Sequence, residues 1–200
     1  VVLVENGKVT PFATGLDDPK GVATFQKWIY VADKTRVYRF DESGKRELFA
    51  PENVFPTDPL FLNDVAVDPE SGNVYVSDSG DKKGSGGAVY RIAPNGAVTV
   101  VADTKTIPEL HTPNGVCLDG ASFLLVGDFG TGNLFRVKLS DRSFEKVADG
   151  LGAVDGIAWD HFGRLFVSDW KGGKVHVIPR PGEKPVLFAE GLQRAADLCY

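Results

Sequence analysis

Methionine is absent from the 200 residues, cysteine occurs only at Cys117 and Cys199, and a formal charge of -5 leaves no basic surplus. Each shortage excludes something. Two cysteines without a C-x-x-C spacing make neither a disulfide framework nor a zinc site. A pI near 5.2 with scattered acidic residues gives no surface for a phosphate backbone, so nucleic acid is not expected as a partner. No apolar run approaches the ~20 residues that cross a bilayer, and no membrane partner is expected either. The opening VVLVENGKVT lacks the basic start, long apolar stretch and cleavage site of a signal peptide, and it lacks an initiator Met. The start of the chain therefore reads as trimmed. Compartment stays open between the cytoplasm and export with a removed signal peptide, and oligomeric state is not encoded. Helical periodicity is missing throughout.

What the chain has is repetition. KGVATFQKWIYVADKTRVYRF from Lys20, NDVAVDPESGNVYVSDSG from Asn63, NGVCLDGASFLLVGDFGTGNLFRV from Asn114 and DGIAWDHFGRLFVSDWKGGKVHVI from Asp155 align with one another, and ADLCY from Ala196 begins a fifth copy. The starts are 43, 51, 41 and 41 residues apart, the length of a four-stranded propeller blade. Within the last full unit GIAW, RLFVSD, KVHVI and PVLFAE read as strands separated by DHFG and KGGK turns. Runs such as LFV and IYV are apolar at consecutive positions, as expected of sheets covered on both faces. A sandwich of short strands would not bring one slot back at blade spacing. The expected fold is all-β, a β-propeller forming a single domain over residues 1–200, with four complete blades and two partial ones. VVLVE and KVTPFAT supply the outer strands of an earlier blade, and the chain is expected to be part of a six-bladed ring.

In a propeller the first strand of each blade lines the central channel, so residues at its start converge on the axis. That slot holds Lys20, Asn63, Asn114, Asp155 and Ala196. Two amides and a carboxylate suit a hard cation such as Ca2+, with Asp64 beside Asn63 to orient the amide or a bound water. Asn-Gly and Asp-Gly are also ordinary turn dipeptides, which is the competing reading of residues 114–115 and 155–156. Asp33, Asp78, Asp128 and Asp169 recur at the end of each second strand and read as turn caps.

The stretches FLNDVAVD, TPNGVCLDG and VDGIAWDHFGRLFVSDW resemble the third, fourth and fifth blade starts of the SMP-30/gluconolactonase/LRE-like family, calcium-dependent six-bladed propellers similar to diisopropylfluorophosphatases and paraoxonases. The resemblance covers essentially the whole chain. It implies a catalytic divalent ion in the channel, Ca2+ or another such as Mg2+, Zn2+ or Mn2+. It further implies Asn114 and Asp155 as direct ligands and Asn63 as a ligand or substrate contact. The family's first-blade Glu ligand has no match here, and it is expected on an inner strand preceding Val1.

Weaker channel candidates are His111, three residues before Asn114, which could line the pocket mouth and shuttle protons, and Lys20, which could meet an anionic substrate group or be salt-bridged. His161 and His176 read as structural or solvated. The Gly-rich insertion at residues 77–90 reads as a rim over the pocket or an ordinary long turn, and Trp170 as a pocket wall or an inter-blade packing residue. The expected function is divalent-metal-dependent hydrolysis of small lactones or related esters. Asp155 would serve as base or nucleophile, and Asn63, Asp64, His111 and Lys20 would contact the small-molecule substrate. The alternatives are a non-catalytic NHL-like or WD40-like binding scaffold and a metal-free strictosidine-synthase-like propeller. No serine nucleophile elbow or phosphate loop is present.

Overall fold

The computed structural model describes residues 1–81 and 83–200. Its elements are strands with one short 3-10 turn at Glu52–Val54, and among the described residues no helix is long and apolar enough to cross a membrane. β1 (Val2–Glu5) and β2 (Lys8–Pro11) form a two-stranded antiparallel sheet. Four blades follow, each a four-stranded antiparallel sheet whose strands pair in chain order. The Lys20 blade contains β3 (Pro19–Phe25), β4 (Trp28–Asp33), β5 (Arg36–Phe40) and β6 (Arg46–Ala50). The Asn63 blade contains β7 (Leu62–Val67), β8 (Val74–Asp78), β9 (Ala88–Ile92) and β10 (Val98–Asp103). The Asn114 blade contains β11 (Pro113–Asp119), β12 (Phe123–Asp128), β13 (Leu134–Lys138) and β14 (Phe144–Ala148). The Asp155 blade contains β15 (Val154–Trp159), β16 (Leu165–Asp169), β17 (Lys174–Ile178) and β18 (Val186–Ala189). Four blades built alike make this an all-β propeller, as the repeats require.

The core lies in three seams between neighbouring blades. Val74 and Val76 join Tyr30, Ala32 and Leu62 in the first seam, whereas Tyr75, between them in sequence, faces the second with Leu124, Val126 and Phe135. Leu125 in turn faces the third with Leu134, Val154 and Val167. Side chains alternate across a strand, so a strand covered on both faces must be apolar at consecutive positions. That is why VYV and LLV are not polar at every second residue. The seams bury whole side chains, and this burial is the main favourable term holding blade to blade.

Every inner strand carries a register shift at the slot the repeats single out. Pairing jumps from Pro19 to Val22, Leu62 to Val65, Pro113 to Val116 and Val154 to Ile157. A bulge re-aims the side chains it contains, so residues 20, 63, 114 and 155 leave the sheet's ordinary alternation. Gly115 and Gly156 sit in these bulges at negative φ, absent from the left-handed set, which overturns the reading of Asn-Gly and Asp-Gly as tight turns. Their lack of a side chain serves packing instead. A Cβ on Gly115 would fall 2.2 Å from the Asp155 carbonyl oxygen, and one on Gly21 would fall 2.6 Å from the Asp64 Cα. Inner strands of neighbouring blades thus meet backbone to backbone. Gly115→Ala is expected to lower stability by about 1–3 kcal/mol through overpacking. A urea midpoint equal to wild type would show that the strands can separate freely.

The fifth start takes a looser form. Residues 190–200 hold no assigned strand, although Ser168 Oγ donates to the Ala196 carbonyl at 2.6 Å and Gly156 packs against Asp197 and Leu198.

Candidate functional site

In two blades the bulge is held by a serine of the second strand of the same blade. Asp64 N–H donates to Ser77 Oγ at 2.9 Å, and Gly156 N–H donates to Ser168 Oγ at 2.8 Å. Backbone groups displaced from the ladder by the bulge therefore still find partners, as buried amides must.

The recurrent aspartates hold the segment leading into each inner strand. Asp33 accepts from the Asp17 and Asp18 amides, and Asp78 from Leu60 and Phe61. Asp128 accepts from His111 and Thr112, and Asp169 from Ala153. They also take the turn amides that follow them, at Gly80, at Gly130 and Thr131, and at Gly172. All four acids tie the second strand to the approach to the channel, and Asp78, Asp128 and Asp169 also cap the turn that follows.

One open cleft of about 1380 Å3 is lined by Lys20, Asn63, Asp64, Asn114, Asp155 and Ala196, so the five residues of the repeated slot share one cavity. Asn63 Nδ2 donates to Ser79 Oγ at 3.1 Å, and Ser79 in turn donates to the Pro113 carbonyl at 2.8 Å. Asn114 Nδ2 donates to Asp155 Oδ2 at 3.2 Å. Both amides thus have their nitrogens engaged. Their carbonyl oxygens, with Asp155 Oδ1, carry no hydrogen bond from the described residues.

Burial in first place, then the charge of Asp197, push the Asp155 carboxyl up to about 6, against the opposing hydrogen bond from Asn114. Asp64 is pushed well above the usual carboxylate range by burial and then by Asp197. Its two oxygens accept from the Val65 amide at 2.7 Å and, across the seam, from the Val116 amide at 2.8 Å. Asp64 occupies the position held by Gly21, Gly115 and Gly156 in the other blades. There it bridges to the next inner strand where the glycines simply touch it.

The other expected residues are placed as follows. Lys20 lines the cleft, ion-pairs with Asp18 and lies 5.3 Å from the Phe61 ring centroid. His111 is exposed and is not among the lining residues. Its Nδ1 lies 2.9 Å from where a Gly84 Cβ would be, so the ring faces the insertion rather than the channel. Among the described residues of the insertion only Ser79 lines the cleft; Lys82 lies outside the described residues. Trp170 lines the cleft and packs on Phe129, ring centroids 5.8 Å apart. Cys117 is a half-buried thiol pushed up to about 12 by desolvation and then by Asp64, unsuited to nucleophilic work.

Sequence reasoning missed Asp197, Ser79 and Phe129, all lining residues. Asp197 was detectable: it follows Ala196 as Asp64 follows Asn63. Ser79 and Phe129 had no such signal, since each directly follows a recurrent aspartate at a position occupied by Lys34, Ser79, Phe129 and Trp170 in turn.

No curated protein matches the chain significantly. A solved X-ray structure carrying a provisional gluconolactonase assignment is similar, with a TM-score of 0.76 at 22% identity over 98% of this chain and 71% of that one; this likeness bears on the fold. Residues 10–189 match the profile described as SMP-30/gluconolactonase/LRE-like region. With nine-tenths of its length inside that match, the chain belongs to the SMP-30/gluconolactonase/LRE-like family.

Proposed function

We propose that the protein is a divalent-metal-dependent hydrolase of small lactones or related esters, with Ca2+ the favoured ion. The observation that carries this is the orientation of Asn63 and Asn114. The side-chain nitrogen of each donates a hydrogen bond, which leaves carbonyl oxygen as each amide's open acceptor in the cleft that Asp155 also lines. Membership of a family described by gluconolactonase supports the substrate class.

The donor set fits the ion. Two neutral oxygens and one carboxylate match a hard cation. Among the described residues no group of three His, Cys, Asp or Glu is placed to hold a metal, so the holding residues would be Asn63, Asn114 and Asp155. A single ligand charge implies modest affinity. When bound, the ion would supply Lewis-acid polarisation of the scissile carbonyl.

The chain's own groups do the rest. Asn63 is fixed through Ser79 to the start of the next inner strand, which sets the span between the two amides. Asp64 ties the same strands one residue further on. Asp155 takes the proton of the attacking water at its free Oδ1, while Asn114 holds Oδ2 and with it the plane of the carboxylate. A half-buried base beside a second carboxylate, with its affinity for protons raised, is suited to work near neutral pH. Lys20 at the rim meets the carboxylate that lactone opening releases.

Proton release from a lactone, followed with 1 mM Ca2+ and with excess chelator, tests the reading. We expect roughly a hundredfold loss on chelation and full recovery on readdition of Ca2+. Turnover indifferent to chelation would end the metal assignment. Absence of lactone or ester turnover in Ca2+, with the fold intact, would leave a binding scaffold.

A further inference from the structure

The repeat that builds the blades also shows where two of them depart from it. Arg39 faces Glu47 from third strand to fourth in the Lys20 blade, and Arg136 faces Glu145 in the Asn114 blade, each pair closed by hydrogen bonds. At the same register the Asp155 blade has Val177 opposite Val186, with neither charge. The Asn63 blade keeps the cation and drops the acid, for Arg91 stands opposite Thr99. Among the described residues Arg91 forms no ion pair. Asp119 also holds Arg136, but its counterpart here, Asp68, is taken by the Glu70 amide and the Ser71 hydroxyl.

The second departure lies in the neighbouring blade. The turn from third strand to fourth holds a residue in the left-handed region in every blade, and in three it is a glycine, at Gly44, Gly96 and Gly182 with φ of 80°, 84° and 82°. In the Asn114 blade it is Arg142, at φ 62°, a conformation that a side chain disfavours. Asp141 beside it is bonded to Ser143 and paired with Lys138, and Arg142 likewise forms no ion pair among the described residues.

Both departures open on one place. Arg91 and Arg142 line a cleft of about 580 Å3 between these two blades, together with the hydroxyl-bearing Thr99 and Ser140, and no Asp or Glu is among its described lining residues. In a chain of net charge -5, two uncompensated guanidinium groups thus share a cleft free of acid. We infer that it is an anion site for a small phosphate-bearing molecule, inorganic phosphate or a phosphate monoester, held between Arg91 and Arg142. Guanidinium forks match the oxygens of phosphate, and a group carrying nearly two negative charges at neutral pH meets two cations where a carboxylate meets one. The cleft shares no lining residue with the channel, so the inference stands apart from the hydrolase reading.

The test is titration of the protein, freed of divalent ions on a chelating resin, with inorganic phosphate, glycerol 2-phosphate and acetate at low ionic strength, followed by calorimetry. We expect one-to-one binding of both phosphates tighter than about 1 mM, and acetate weaker by about tenfold or more. Binding of inorganic phosphate without glycerol 2-phosphate assigns the free ion, and tighter binding of the ester assigns a monoester. Arg91→Gln should weaken phosphate binding about tenfold. Arg142→Gly installs the residue that the other three turns use, so its urea midpoint should equal or exceed wild type while phosphate binding falls about tenfold. Thr99→Glu gives Arg91 the partner its counterparts have, and should abolish binding with the midpoint unchanged or raised. These two variants separate a ligand site from a structural role, because stability and binding move apart. No saturable phosphate binding by wild type, or acetate bound as tightly as phosphate, overturns the site. So does binding within about threefold of wild type in either Thr99→Glu or Arg142→Gly, or an equal loss in Arg180→Gln, an exposed arginine outside the cleft.

Discussion

Asp155→Asn is expected to lower kcat for lactone hydrolysis by roughly 10^3-fold while leaving the fold in place. The substitution keeps shape and volume, so the bulge at Val154–Ile157 and the close approach of Gly115 to the Asp155 backbone are untouched. What changes is charge and basicity. An amide accepts a hydrogen bond from Asn114 as the carboxylate does, but it cannot take a proton from water, and it removes the one formal charge from the proposed ligand set. The same change relieves the folded state. A carboxylate with its affinity for protons raised by burial and by Asp197 is held at some cost in the ionised form, and a neutral isostere does not carry it. The stability of Asp155→Asn in chelator should therefore equal or exceed wild type, by urea denaturation with unchanged m. Loss of activity together with a collapse in stability would assign Asp155 to architecture; activity above a tenth of wild type would remove it from the chemistry.

The fold could be read because the repeat spacing and the consecutive apolar residues both follow from blade geometry. Val74, Tyr75 and Val76 can all be apolar only where sheets cover both faces, and the structure divides them between two seams. The slot at residues 63, 114 and 155 was legible for a similar reason: a feature that must recur around an axis recurs in sequence. Other features do not repeat. The bulge is a property of pairing, invisible in one strand, and it decides whether Gly115 is a turn residue or a contact residue. Asp64 reads as a polar partner of Asn63, yet one of its oxygens reaches the Val116 amide in the next blade, a contact 52 residues away in sequence. His111 sits close to Asn114 along the chain, but its amide is tied to Asp128 and its ring lies against Gly84 of the insertion. Proximity in sequence is a poor guide where the backbone changes direction.

The recurrent aspartates were legible as residues but not as ties, and Asp128 shows how much that difference is worth. Asp128→Ala is expected to destabilise the protein by about 4 kcal/mol, at the top of the range for single substitutions. Its side chain accepts from His111 at 2.5 Å and Thr112 at 3.1 Å through one oxygen, and from Gly130 at 2.8 Å and Thr131 at 2.9 Å through the other. Removing it leaves four donors without their acceptor, one of them buried and three part-buried, and each buried unsatisfied group costs about 1–3 kcal/mol before relaxation. Asp128→Asn should recover little of this, because its NH2 would face two donors. Asp141 is the control: it accepts from the Ser143 amide and hydroxyl on an exposed turn, where water replaces a lost acceptor, so Asp141→Ala should leave the urea midpoint near wild type. The loss extends to the cleft. Residues 111 and 112 lead directly into Pro113 and Asn114, and Phe129 follows Asp128, so one carboxylate positions an amide of the proposed metal site and an aromatic of its wall. Well below its lowered midpoint, where the variant is still folded, Asp128→Ala should bind Ca2+ more weakly, about tenfold, in the range seen when residues supporting a ligand are removed. If its midpoint instead shifts by less than about 1 kcal/mol, the approach segment is held by the seams alone, and the repeated aspartates mark turns and nothing more.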